Sequence, residues 1–573
     1  MSDEVKDTDE SKLLKSVQNE SLWIRTKTYL NLSGPGFLQS ALSLGGGSLA
    51  SSLYLGVLAG YSMLWLQPLA MLLGIIMLSA LGYITLVTNE RPFHAINRHI
   101  NPVLGWGWAF ASLLASIVWA MPQFSLANGV IQQNLMPGTF GQEGSLGGIP
   151  GMVLISVVIL AITLTISWNY NQGKTGVWVY EMILKGVVAV VVLCFVGVVV
   201  RLTFVTGTIN WAELGRGFIP NLALIFRPAE GFLPILEGLS ETSQAYWSDL
   251  LVSRQQNVMA AAISSAVGIN MTFLFAYSML KRRWGAEYQG LMKFDLGVGM
   301  FIPFLLATSC VMIAAASQFH TVPQSGIIEE FTADWEPAAS QVNEYNQMLE
   351  GRVMFGSDGA NLSEQQIATQ IDALGREDHV MAATLITRDA FDLSFSLEPL
   401  MGSAFGHIIF GIGVLGMALS SITLMMIISG FIACEVFNKP DDKFLFRLGA
   451  LIPGLGILGP FFWSQALFWL AIPTSIITLL LLPIAYVTFL LMMNNKALMG
   501  EYMPRGRSRV IWNTLMIGAV VLISSASLYM LWMSGGKWGI GMLFLFLIAV
   551  GIAEWRKRNK REEIVSETKT NIE

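Results

Sequence analysis

About twelve stretches of this chain run for roughly twenty residues with scarcely a charge, the length an α-helix needs to cross a hydrocarbon layer ~30 Å thick. Lipid offers no partner to a backbone N–H or C=O, so each stretch must bond its own backbone internally, and that makes them helices. They lie near 34–55, 57–88, 103–133, 150–168, 176–204, 256–280, 294–318, 401–437, 444–462, 466–493, 510–533 and 539–555. With 53% of its 573 residues hydrophobic and 13% charged, the chain reads as an all-α integral membrane protein. Cys194, Cys310 and Cys434 all fall inside apolar runs, which argues against a disulfide framework or a thiolate cluster. No basic stripe points to nucleic acid, and no nucleophile with its base, metal-ligand cluster or phosphate loop points to an enzyme or a bound cofactor. The expected partners are therefore the lipid bilayer and a small solute or ion.

Charge sets the expected orientation. The opening MSDEVKDTDESKLLK is polar and acidic, with no visible cleaved signal, so the first spans must direct insertion. KRRWGAEYQGLMK precedes the seventh span, NNKALMGEYMPRGRSR precedes the eleventh, and WRKRNKRE follows the last; all three fall on the side of the N-terminus, as do Arg91 and Arg98. Short loops rich in Lys and Arg stay in the cytoplasm, which places both termini inside, in a plasma membrane of bacterial inner-membrane style. The opposite side carries an insertion, 319–398, with fourteen carboxylates against Arg352, Arg376 and Arg388, more acidic by itself than the chain's net charge of -5. A loop of this kind is expected to be a solvated acidic face, or else to gather cations at the mouth. Within it, NLSEQQIATQIDAL predicts a helix with Ser363 as N-cap and Gln366 as its capping-box partner. Residues 206–255 are too interrupted by proline and carboxylate to span lipid and too apolar to float free, so an amphipathic piece lying on the surface is expected.

Two spans are interrupted at their middles. The first contains Gly45, Gly46, Gly47 and Ser48, and successive glycines, each about 1 kcal/mol worse than alanine in a helix, predict an unwound stretch. The sixth contains Gly268-Ile-Asn-Met-Thr272 at the corresponding position. Paired interruptions in two halves of a membrane protein mark a transporter's binding site, because freed backbone at that depth survives only in protein or around a cavity. Gly45, Gly46, Gly47, Ser48, Gly268, Asn270, Met271 and Thr272 are thus the candidate substrate-binding residues. Close helix packing through small residues is the competing explanation of the glycines.

Several stretches resemble the Nramp family (natural resistance-associated macrophage proteins) of divalent-metal transporters. They are GPGFLQSALSLGGGS with GYSMLWLQPLAMLL, YEMILKGVVAVVV, KFDLGVGMFIPFLLATSCVMIAAASQFH, LEPLMGSAFGHIIFGIGVLGMALSSITLMMIISGFIACEVF and IPTSIITLLLLPIAYVTFLLMMNNKALMGEYM, in family order between about Gly34 and Met503. The resemblance implies a LeuT-like fold, an inverted repeat of five plus five helices with two further helices at the C-terminus. The division expected is a cytoplasmic segment 1–33, helices 1 to 5 over 34–205, an extracellular amphipathic segment 206–255, helices 6 and 7 over 256–318, the acidic extracellular insertion 319–398, helices 8 to 10 over 399–494, helices 11 and 12 over 495–555, and a cytoplasmic tail 556–573.

The chain departs from that family where its metal would bind. The family's Asp-Pro-Gly-Asn falls on Gly45, Gly46, Gly47 and Ser48, and its Met-Pro-His falls on Asn270, Met271 and Thr272; a shift of one residue would place Met271 at the thioether position. No acid lies near the middle of any expected span: Glu181, with Lys185 four residues on, and Asp295 lie at the cytoplasmic ends of theirs, and His407 is the one residue within a span that titrates near neutrality. The third span carries Gln123, Asn128, Gln132 and Gln133 where the family has carboxylates for protons, and amides do not titrate there. Three readings follow. A divalent cation keeps part of its water, with Ser48 and Asn270 as candidate ligands and Mg²⁺ favoured because it holds water and binds oxygen. Alternatively, a small anion or neutral polar solute sits at the unwound helix ends. In the third, the fold persists in a sensor that no longer transports.

Overall fold

The computed structural model describes residues 9–17, 20–141, 144–170, 174–207, 209–328, 339–357, 362–388, 392, 408, 410–462 and 470–570. It is helical, with no strand among the described residues. Ten spans there are long and apolar enough to cross a membrane, counting one bent pair as a single span. A helix at Lys174–Arg201 and a turn at Gly536, which divides the long C-terminal helix Gly506–Thr570, account for the remaining two of the expected twelve. Gly536 has φ 49° and ψ -139°, open to glycine and strained for other residues, so the two C-terminal spans meet there.

The first span breaks as its glycines predict. Helix Pro35–Ser43 ends at Leu44, Gly45 is extended (ψ -177°), and a second helix, Gly46–Ala59, departs at 51° to the first. The beginning of Pro35–Ser43 is capped from a distance. Asp295, fully buried on the seventh span, accepts hydrogen bonds from the amides of Gly34 (3.2 Å) and Gly36 (2.6 Å), satisfying donors a helix start leaves free. Gly36 is required for this approach, since a Cβ there would stand 2.3 Å from the Asp295 carbonyl oxygen.

The sixth span is also broken, and here one expected boundary moves. Its first half is a single helix from Glu241 to Ala266, so 241–255 continue the sixth span's helix instead of forming a separate piece. Ser240 caps it, accepting from the Ser243 amide at 3.3 Å. Of the charges on this first half, Glu241 and Asp249 are exposed, and Arg254 pairs with Glu344 of the insertion. Val267 and Gly268 are extended, and Ile269–Lys281 forms the second half.

The breaks face each other. Ser43 Oγ donates to the Ala266 carbonyl (2.6 Å), and Ser48 Oγ to the Ser265 carbonyl (3.1 Å). Hydroxyls of one broken span thus satisfy carbonyls released at the end of the other, as the interior of a bilayer demands.

The insertion is built onto this frame. Its described helices are Ala339–Gly356, Glu364–Asp372 and Arg376–Leu385, the second with the expected capping box in which Gln366 Oε1 accepts from the Ser363 amide at 2.8 Å. Glu350, Glu364 and Asp372 are exposed, as a solvated acidic face requires, but Glu344 and Asp378 turn inward. Asp378 pairs with Arg352 (3.5 Å) and accepts from Trp247 Nε1 (2.7 Å) and Ser243 Oγ (3.0 Å). Arg254 reaches Glu344 at 3.0 Å and the Leu385 carbonyl, while Tyr54 donates to the Arg388 carbonyl. Both broken spans are therefore fastened to the insertion through Tyr54, Ser243, Trp247 and Arg254.

Candidate functional site

Where the breaks meet there is a cavity of about 10 Å³, room for about one water molecule. Gly45, Gly47 and Ser48 line it from the first span, with Leu42 just before the break. Trp119, Pro122 and Gln123 come from the third span, Ser265 from the sixth, Met425 from the eighth, and Thr474 and Ser475 from the tenth. Every polar side chain in this lining except the Trp119 indole bears a neutral oxygen. No carboxylate is among the lining residues, and among the described residues no three His, Cys, Asp or Glu converge as metal ligands.

Gln123 organises one wall. Its Oε1 accepts from the Gly46 amide at 3.1 Å, so an amide oxygen sits at the start of helix Gly46–Ala59, where the helix dipole favours negative charge. Glycine at 45 keeps the wall thin, because a Cβ would lie 2.7 Å from Ser421 Oγ and 3.1 Å from the Leu42 carbonyl. A Cβ on Gly47 would meet Ser475 Oγ at 3.4 Å. Ser421 Oγ and Ser475 Oγ, both on fully buried residues, find no hydrogen-bond partner among the described residues.

The sixth-span residues sit differently. None of Gly268, Asn270, Met271 and Thr272 is a lining residue in this conformation. Asn270 Nδ2 donates to Ser116 Oγ (3.2 Å), while its Oδ1 has no hydrogen-bond partner among the described residues and folds against Gly268, whose Cβ would stand 2.8 Å away. Met271 Sδ accepts from the Gly268 amide at 3.2 Å, which turns the thioether back on its own helix start. Thr272 Oγ1 bonds the Ile269 carbonyl and accepts from Trp108 Nε1 (2.8 Å). The sequence named the first-span residues and Gln123; it did not single out Ser265, Ser421, Thr474 or Ser475. Serines and threonines on apolar helices commonly bond their own backbone, so these four carry no signal until the spans are assembled.

Asp295 is occupied in capping and lies outside the lining. The side chains of Glu181 and Lys185, and His407, lie outside the described residues.

The sequence model of the family described as natural resistance-associated macrophage protein-like matches residues 36–345 and 379–533. No curated protein matches the chain significantly. Among solved structures, the manganese transporter of Eremococcus coleocola bound to an aromatic bis-isothiourea substituted compound aligns at TM-score 0.58 and 16% identity, over 95% of this chain and 97% of that one. A point mutant of the same transporter aligns at TM-score 0.58 and 14% identity with the same coverage. At such identity the likeness concerns fold, and that fold is the LeuT-like one with two broken helices facing each other. The family match covers most of the length, and it agrees with the motifs in their order along the chain: this protein belongs to the Nramp family.

Proposed function

We propose that this protein is a secondary transporter that carries a divalent metal cation by alternating access, with the cation retaining much of its water. Membership of the Nramp family and the manganese transporters among its structural neighbours support a metal as cargo. The observation that carries the finer reading is the lining of neutral oxygens from Gln123, Ser48, Ser265, Thr474 and Ser475, with no carboxylate. A dehydrated divalent ion without compensating charge is disfavoured by several kcal/mol even after relaxation. Water kept in the inner sphere spreads that charge, and hydroxyl and amide oxygens then hold the waters; Mg²⁺ suits this, being slow to dehydrate and partial to oxygen. Met425 is the one sulfur in the lining, and the thioether of Met271 is engaged elsewhere, which supports a hard ion over a soft one. With room for one water, the cavity is the closed form of the site, and loading requires the two halves to part.

The anion reading is weakened by Gln123, whose oxygen already takes the Gly46 amide that an anion would need. Flux into proteoliposomes tests the proposal. Mg²⁺ uptake should exceed Mn²⁺ uptake, with Cd²⁺ lower still and small monocarboxylates unmoved. Cd²⁺ and Mn²⁺ preferred over Mg²⁺ would overturn the hydrated-ion reading while leaving metal transport in place, and silence with every ion would favour the sensor.

A further inference from the structure

The segment between the fifth and sixth spans is buried only in part. Leu214, Leu224 and Phe232 are buried beneath it, and it is held by side chains of the sixth span: Gln255 Nε2 donates to the carbonyls of Leu224 (2.8 Å) and Arg227 (2.9 Å), and Gln256 Nε2 to that of Ile225 (2.8 Å). Its Gly217 carbonyl also accepts from the Trp65 amide at 2.8 Å. Its exposed residues include four large apolar ones, Trp211 56%, Ile219 65%, Leu222 61% and Phe226 71% exposed. Single exposed apolar residues need no explanation, but four large ones within sixteen positions, outside the spans, do.

Depth identifies what covers them. Gln255 stands thirteen residues before Gly268, about 20 Å at ~1.5 Å per residue. Half of a ~30 Å hydrocarbon core is about 15 Å. If the breaks mark the bilayer midplane, as the transport reading requires, the carbonyls bonded by Gln255 lie about 5 Å beyond the acyl chains, at headgroup level. The segment is also continuous in sequence with the end of the fifth span, where Phe204 and Val205 are 81% and 66% exposed. Arg216 and Arg227, both exposed, stand among the apolar residues, as cations do on helices that rest at phospholipid phosphates; Glu213 and Glu230 are exposed beside them.

We propose that residues 211–233 dock on the phospholipid headgroup layer through Trp211, Ile219, Leu222 and Phe226, anchoring the first half of the broken sixth helix to the membrane surface. This depth rests on the transport reading of the breaks, and the test separates the two. Single cysteines at Leu222→Cys and Phe226→Cys are spin-labelled in nanodiscs holding one protein each, with Cys194→Ser to remove the half-exposed thiol and the buried Cys310 and Cys434 left in place. Collision with oxygen, which concentrates in lipid, is compared with collision with a water-soluble nickel chelate. Leu193→Cys on the fifth span is the lipid reference, Gln365→Cys on the insertion the water reference. Both test positions should show an oxygen-to-nickel ratio several-fold above that of Gln365→Cys and nearer that of Leu193→Cys. A ratio like that of Gln365→Cys overturns the proposal, and so does protection from both reagents, which would mean protein covers these positions. Leu114→Cys checks the midplane separately, because Leu114 lies between Ser112 and Ser116, which bond Ile269 and Asn270 at the break. It should give the deepest reading of all; a shallow one there refutes the midplane placement whatever 222 and 226 report.

Discussion

Gly45 is where a single residue decides most. The resemblance places the family's aspartate at this position, and the structure adds that a side chain here is crowded: a Cβ would lie 2.7 Å from Ser421 Oγ, so one of the two must shift. Gly45→Asp alone should therefore be cramped and gain no metal affinity. Gly45→Asp with Ser421→Ala removes the obstructing oxygen and should bind Mn²⁺ measurably by calorimetry, since a carboxylate then supplies the missing charge; equal binding by the single and double variants would show that crowding is not the obstacle. His320 supports a second residue-level prediction. It sits just past the seventh span, bonded through Nδ1 to the Val57 carbonyl at 2.9 Å and edge-on to Phe232. Burial holds its imidazole below the ordinary 6.5, outweighing the Val57 carbonyl and Glu213, which act the other way. The folded protein thus declines a proton that the unfolded chain accepts, and stability from this group is intact above about pH 6.5 and falls away as pH drops below it toward the lowered folded value. In detergent, thermal stability should fall between pH 7 and pH 5, and His320→Gln should reduce that fall. An unchanged fall in the variant would assign it to other groups. Neither Ser421 nor His320 was legible as a neighbour of these sites, because contacts between residues hundreds of positions apart leave no period in a sequence.

Among the elements, the insertion differs most from its sequence appearance. Fourteen carboxylates read as a solvated face, and the capping box of Ser363 and Gln366 was legible because it is written in four consecutive residues. What composition hides is that two of the acids are spent internally. Asp378 and Arg352 are nearly buried, with side chains 7% and 9% exposed, and Asp378 also bonds Trp247 and Ser243 on the sixth span. Helix Glu241–Ala266 carries its charges in two ways: Arg254 pairs with Glu344 of the insertion, while Glu241 and Asp249 stay exposed. Removing one partner of a buried pair costs about 3–5 kcal/mol, because the other is left charged and alone. Asp378→Ala should accordingly loosen the insertion by about that amount. It should appear as faster hydrogen exchange and proteolysis within 339–385, with the spans unaffected. Exchange no faster than in the parent protein would mean that Arg254 and Tyr54 suffice to hold it.

For the whole molecule, the pairing of two broken helices was legible, because glycines interrupt the two apolar runs at matching depths. Their closure around so little space was not, because it depends on how five spans approach one another. Orientation belongs to this scale as well, since one span reversed reverses the rest. Lys281, Arg282, Arg283 and Lys293 lie in one short connection, Lys496, Arg505, Arg507 and Arg509 in another, and Arg556, Lys557 and Arg558 follow the last span. The face bearing the insertion has the acids instead. Translocating a short basic loop against the membrane potential is unfavourable by ~2.3 kcal/mol per charge per 100 mV, so loops of three or four cations strongly favour one sense of insertion. The Lys/Arg-rich face is thus expected in the cytoplasm with both termini, and the insertion outside. A membrane-impermeant maleimide should label Gln365→Cys in intact cells, and Arg505→Cys only after permeabilisation. Labelling of Arg505→Cys in intact cells, with Gln365→Cys protected, would invert the topology, and would put the insertion and its fastening to both broken helices at the cytoplasmic mouth of the pathway.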